Sequence, residues 1–332
     1  MWGSTFVLIK GVVTDLPVLD FLAVRFTIAA VVMVVAFGSH LRRLTRAQCT
    51  RAALLGVVYG VAQILQTYGL AHTPAAVSGF VTGTYVVITP VLGALLLRQR
   101  TPSSTWVAVG LATGGLALLA LRGLSVGPGE LLTLASAVLY AAHIVGLGRW
   151  SDAGDSLGLA TMQMLAIAVL CTVAALPAGV TLPASGRAWL AVLYTAIAAG
   201  AFALVVQTWA QAHLPATRAA VIMTMEPVFA AAFAVGLGGE HLTWRTAVGG
   251  LLVLTAMYVA ELGPRRSRRE SVGATLLVQG VGTHDATSGG PGHEHLTDVA
   301  GERGRGRVAS GPPSRHAGHR VGIRRGRHPR AR

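Results

Sequence analysis

The chain reads as an all-α integral membrane protein. Ten transmembrane helices, the first truncated, are expected as two inverted five-helix repeats, followed by a disordered basic C-terminal tail. Three observations predict this. Long apolar runs succeed one another with short connections that carry turn formers or charge. One ten-residue stretch occurs twice. Charged residues make up only 12% of the chain, against about 25% in an ordinary soluble protein.

A membrane-crossing helix needs about 20 largely apolar residues. Nine runs approach that length: 19–37, 52–70, 75–97, 104–121, 131–147, 157–176, 188–206, 219–237 and 243–262. A tenth, 1–13, is too short and reads as the second half of a helix, so native residues are expected upstream. A re-entrant or interfacial segment is the alternative. No basic region precedes the first apolar run, so no cleavable signal peptide is expected.

Net charge is +14, but residues 1–262 hold 13 Lys+Arg against 8 Asp+Glu, and the tail holds 14 Arg against 5 acids. The basic character is mostly a tail property, and no nucleic-acid partner is expected. Residues 263–332 are dominated by Gly, Arg, His, Ser and Pro, a composition that predicts disorder. Arg265, Arg266, Arg268 and Arg269 follow the last run. They read as topology markers, with anionic-lipid binding as the alternative. Cys49 and Cys171 suggest neither a disulfide nor a metal site.

Basic residues divide unevenly between alternate loops. Twelve, including Arg42, Arg43, Arg98, Arg149 and Arg218, fall on one side, against Lys10, Arg122, Arg187 and Arg245 on the other. The positive-inside rule then places both termini in the cytoplasm of a multi-pass protein of the cell (plasma) membrane. The duplicated stretch is Gln66-Thr67-Tyr68-Gly69-Leu70-Ala71-His72-Thr73-Pro74-Ala75. It returns as Gln207-Thr208-Trp209-Ala210-Gln211-Ala212-His213-Leu214-Pro215-Ala216, with six of ten positions identical at an offset of 141. Five spans per half is an odd number, so the copies face opposite sides of the membrane. Such halves suit a pathway with alternating access.

Polar residues inside membrane helices tend to face a cavity or a partner. Glu226 is the sharpest case, read as mid-span, with Pro227 loosening the helix beside it. Its role is a substrate or proton site, or a kink anchor. Arg25 lies about seven residues into the second run and reads as structural, snorkelling or paired with a carboxylate such as Glu226, with substrate contact as the alternative. Tyr59, Gln63 and Gln66 share one face of the third run, and Gln207 and Gln211 repeat the pattern in the eighth. Tyr140 and His143 lie three apart in the sixth. Cavity lining and interhelical hydrogen bonding are the competing roles, with proton relay a further one for His143. Tyr85 and Thr82 are candidates in the fourth run. His72 and His213 end their helices and are expected to cap carbonyls. Gly56/Gly60, Gly79/Gly83 and Gly110/Gly114 read as close helix packing. No nucleotide motif, cofactor site, metal cluster or catalytic constellation stands out.

Further residues carry a resemblance. Trp2-Gly3-Ser4-Thr5-Phe6-Val7, Arg25-Phe26, Thr89-Pro90-Val91 and Gly110 occur in the first half. Leu139-Tyr140, Glu226-Pro227-Val228, Gly239-Glu240-His241-Leu242-Thr243 and Gly249-Gly250 occur in the second. In order and spacing the chain resembles EamA-type transporters of the drug/metabolite transporter superfamily. The resemblance covers 1–262 and implies repeats at 1–122 (N-terminally truncated) and 127–262, followed by the tail at 263–332. It implies a secondary transporter, commonly an exporter of amino acids or related small polar metabolites, with a central cavity and no enzymatic activity. Trp2 joins the cavity candidates, and Pro90 and Pro227 are structural. The Gly239-Glu240 pair has no counterpart in the first half, where Arg98-Gln99-Arg100 stands, and Glu240 is expected to matter less than Glu226. The alternatives are a membrane enzyme acting on lipid-borne substrates and a structural or regulatory protein using its basic tail. Proton coupling is an accompanying expectation. Oligomeric state is open, a homodimer being one option.

Overall fold

The computed structural model describes residues 1–97, 103–122, 125–151, 154–213, 223 and 225–260. The tail and the loop residues Arg98, Arg100, Pro215 and Arg218 lie outside them. In chain order the helices are α1 (Trp2–Val12), α2 (Val18–Leu41), α3 (Arg46–Ala71), α4 (Ala75–Gly83), α5 (Tyr85–Leu97) and α6 (Ser103–Ala120). They continue as α7 (Pro128–Trp150), α8 (Ser156–Ala175), α9 (Gly186–Ala196), α10 (Ala203–His213), α11 (Glu226–Gly236) and α12 (Trp244–Ala260). A short antiparallel pairing, Leu121–Arg122 with Ser125–Val126, joins α6 to α7.

Six helical stretches among the described residues are long and apolar enough to cross a membrane, and α6, α11 and α12 are shorter apolar helices. Three of these helices start as their sequences suggest. Thr45 and Gln48 form a capping box at α3, in which Gln48 Oε1 accepts from the Thr45 backbone at 2.8 Å. Pro128 opens α7, where a missing N–H costs nothing. Ser185 Oγ accepts from the Ala188 backbone at the start of α9.

Three runs depart from the expected single helices. The fourth breaks at Thr84, whose hydroxyl donates to the Val81 carbonyl at 2.6 Å and competes with the helical ladder. The eighth is continuous from Gly186 to His213 but passes through a π-helical turn at Ile197–Phe202. In the ninth, α11 begins at Glu226 instead of carrying it mid-helix. Pro227 therefore stands in the first turn, where its fixed φ suits the helix instead of loosening it.

The two halves pack through one another. α2 lies along α8, α3 along α7 and α8, and α11 against α4 and α1. Small residues permit these approaches. A side chain at Gly56 would strike the Gln163 backbone of α8, and one at Gly79 would strike Ala230 of α11. Gly110 and Gly114, expected to pack in the same way, have open space in front of them. On α6 it is Gly115 that meets Gly249 of α12.

Candidate functional site

The interdigitated halves leave a small cavity, about 40 Å³ in volume. Trp2, Arg25, Tyr59, Gln63, Gln66 and Tyr85 line it from the first half, and Tyr140, His143, Gln207 and Glu226 from the second. Thr82 also contributes. Gln211 stands apart, its Nε2 donating to the Ile144 carbonyl at 3.4 Å.

Arg25 is buried at 2% exposure. Its Nε donates to the Thr195 carbonyl at 3.2 Å and its Nη1 to Gln63 Oε1 at 3.4 Å. The guanidinium lies 4.7 Å from the centre of the Phe26 ring, a cation–π contact. The Gln63 amide then donates to the Tyr59 hydroxyl at 3.2 Å. Glu226 is held separately, its Oε2 accepting from the Tyr85 hydroxyl at 3.0 Å. The direct Arg25–Glu226 pair is not made. Arg25 spends two donors on Thr195 and Gln63, and Glu226 is held by Tyr85.

Between these charges runs a polar and aromatic wall. Tyr140 donates to Gln66 Oε1 at 2.8 Å, and Gln66 Nε2 donates to Thr82 Oγ1 at 3.1 Å. Tyr59 stands edge-on to Tyr140 with centroids 5.3 Å apart, and the Tyr59 and His143 rings are 5.0 Å apart. Tyr85 and Tyr140 meet at 6.3 Å.

The π turn also has a part in the site. A wider helical turn displaces carbonyls from the usual ladder, and such turns recur at functional sites. Trp2 Nε1 donates to the Ala199 carbonyl at 2.9 Å, and Arg25 takes that of Thr195 just before the turn. Two lining residues are thus anchored on one backbone irregularity. The apolar run Ala196–Ala201 carries no sign of it. Pro90 lies inside α5, one residue after Thr89, whose hydroxyl donates to the Tyr85 carbonyl at 2.7 Å.

The duplicated stretch repeats its geometry as well as its letters. His72 Nδ1 lies 2.9 Å from the Tyr68 carbonyl, and His213 Nδ1 lies 2.9 Å from the Trp209 carbonyl. Gln66 and Gln207 both line the cavity.

Glu240, expected to matter less than Glu226, is heavily engaged. Its carboxylate accepts from the backbone N–H groups of Ala75 and Ala76 at 2.7 and 3.1 Å, capping α4 from a distant loop. Lys10 approaches it at 3.2 Å and also donates to the Thr73 carbonyl at 3.0 Å. Gly239, with φ of 65°, supplies the left-handed turn that presents it. The Gly-Glu pair was visible in the sequence, but its partners lie 164 to 230 positions away.

Comparison with known proteins agrees with this architecture. The profile of the EamA-like transporter family matches residues 1–121 and again 127–261. An uncharacterized transporter of Archaeoglobus fulgidus is 29% identical over 79% of this chain and 82% of its own length. The uncharacterized inner membrane transporter YedA of Escherichia coli K12 is 28% identical over 73% of this chain and 81% of its own. A probable terminal-alkyne amino-acid exporter of Streptantibioticus cattleyicolor is 30% identical, but over only 45% of this chain and 50% of its own. A crystal structure at 21% identity aligns with a TM-score of 0.59 over 80% of this chain and 96% of that one, a likeness of fold. With apolar helices of membrane-crossing length and a family profile matched in both halves, the chain belongs to the EamA-like transporter family, as a multi-pass membrane transporter and not an enzyme.

Proposed function

We propose that the chain exports small zwitterionic or polar metabolites, amino acids or related compounds, by alternating access between inverted five-helix repeats at 1–122 and 127–262. One observation carries this reading. A single cavity holds one guanidinium from the first half and one carboxylate from the second, and the two are not bonded to each other. A zwitterion offers a carboxylate to Arg25 and a cation to Glu226, while the tyrosines and glutamines accept its remaining surface.

The packing supports the repeat arrangement. α2 and α8 occupy corresponding places in the two halves and are in contact. Tyr85 and Glu226, which are bonded, are separated by the same 141 positions as the duplicated stretch. Contacts between counterparts are what a two-fold axis in the membrane plane produces. The exporter from Streptantibioticus supports outward direction, and the inner membrane relative supports the cell membrane as the location. The loop arginines support cytoplasmic termini. The tail is read as disordered.

A metabolite panel in proteoliposomes tests this. Expected is flux of zwitterions well above that of matched solutes lacking the ammonium or the carboxylate. No flux of any zwitterion, with uncharged solutes passing instead, would remove the assignment. If Glu226 also carries a proton, flux is accompanied by a substrate-dependent pH change in the vesicles. Flux without one means exchange or facilitated diffusion.

A further inference from the structure

Residues of the lining carry buried polar atoms that no neighbour among the described residues satisfies, although burying such an atom without a hydrogen bond is costly. Two of them are His143 Nδ1 and Gln207 Oε1. His143 is 1% exposed and Gln207 8%.

Gln163 stands behind His143 on α8 and is fully buried. Its Nε2 donates to the Leu159 carbonyl at 3.2 Å, and its Oε1 lies 2.8 Å from His143 Nε2. A flipped amide would set Oε1 against the Leu159 carbonyl, acceptor against acceptor, so the orientation follows from the network. Oε1 can only accept, and His143 Nε2 must therefore carry the ring hydrogen. In the neutral ring Nδ1 is left as a bare acceptor. Gly56 of α3 packs on the Gln163 backbone and keeps it in place.

We infer that Gln163 is a positioning residue that sets the His143 tautomer, so that His143 Nδ1, Gln207 Oε1 and the Glu226 carboxylate together receive the N–H donors of a cationic amine. The inference rests on the proposed transport cavity and assigns its ammonium end. Three acceptors match the three hydrogens of a primary ammonium. An N-acylated amine offers one hydrogen and no charge, and leaves two acceptors unmet. Gln163 touches no solute and acts only through the imidazole.

The test uses the full chain in nanodiscs with ¹⁵N-labelled histidine, the His143 signal being the one missing from His143→Gln. Expected is a protonated Nε2 and a bare Nδ1 whose resonance moves when free amino acids are added and stays still with their N-acetyl forms. Binding should favour the free over the acetylated series by tenfold or more in the wild type. Gln163→Glu, which keeps an acceptor toward His143, should retain that preference, and Gln163→Leu should lose most of it. An Nδ1–H tautomer in the wild type overturns the inference, as does an undiminished preference in Gln163→Leu. Should Gln163→Leu fail to fold, the wild-type tautomer and the Gln163→Glu preference decide. Amine binding with the inferred tautomer but no flux of any solute would overturn the transport reading and leave this one standing.

Discussion

Glu226 is the residue on which the proposed chemistry turns, and the phenol of Tyr85 bonds to its carboxylate. A hydrogen bond to a charged group contributes about 1.5–3 kcal/mol. Losing the Tyr85 donor should weaken solute handling by roughly tenfold, while losing the carboxylate removes the charge altogether. Tyr85→Phe is therefore expected to lower flux by about tenfold, and Glu226→Gln by more, at matched expression in proteoliposomes. Near-native flux in both variants would detach this pair from the pathway. At this scale much was legible. A carboxylate in an apolar run declares itself because it is expensive there, and Tyr59, Gln63 and Gln66 declare a face by spacing. Gln163 did not. One amide in an apolar helix looks like ordinary interhelical bonding until its two partners are seen.

Among the elements, glycine spacing alone did not separate packed from open surfaces. Gly56 and Gly79 face another helix closely, whereas Gly110 and Gly114 face nothing within 4 Å. Gly56→Leu should therefore abolish stable folding, and Gly110→Leu should be tolerated, as read by monodispersity and thermal unfolding in detergent. The reverse order would mean that α3 and α8 do not pack as described. The α4 cap gives a second expectation. Removing a cap typically costs about 1 kcal/mol, so Glu240→Ala should lower the unfolding midpoint by a few degrees. An unchanged midpoint would show that Ala75 and Ala76 find other acceptors. The long helices were readable from apolar length. The break at Thr84 and the π turn were not, because both follow from local competition for carbonyls. The start of α11 at Glu226 was obscured by apolar residues on both sides of the Glu-Pro pair.

For the whole molecule, the proposed inversion places His72 and His213 on opposite sides of the membrane. In a chain carrying Cys49→Ser and Cys171→Ser, His72→Cys and His213→Cys should react with a membrane-impermeant maleimide from opposite faces of sealed vesicles. Labelling of both from one face would refute the inversion. The duplication was plain in the sequence, and so was the asymmetry of charge between the halves. What could not be read was the link between Lys10, Glu240 and the start of α4, since it joins three points far apart in the chain. That link has an electrical consequence. A helix N-terminus carries about half a positive charge, so one carboxylate there balances both α4 and an ammonium. Opening that end means pulling opposite charges apart, a step that dissolved ions ease by screening. Transport should then quicken with salt added on the face of the membrane that carries the Lys10–Glu240 pair.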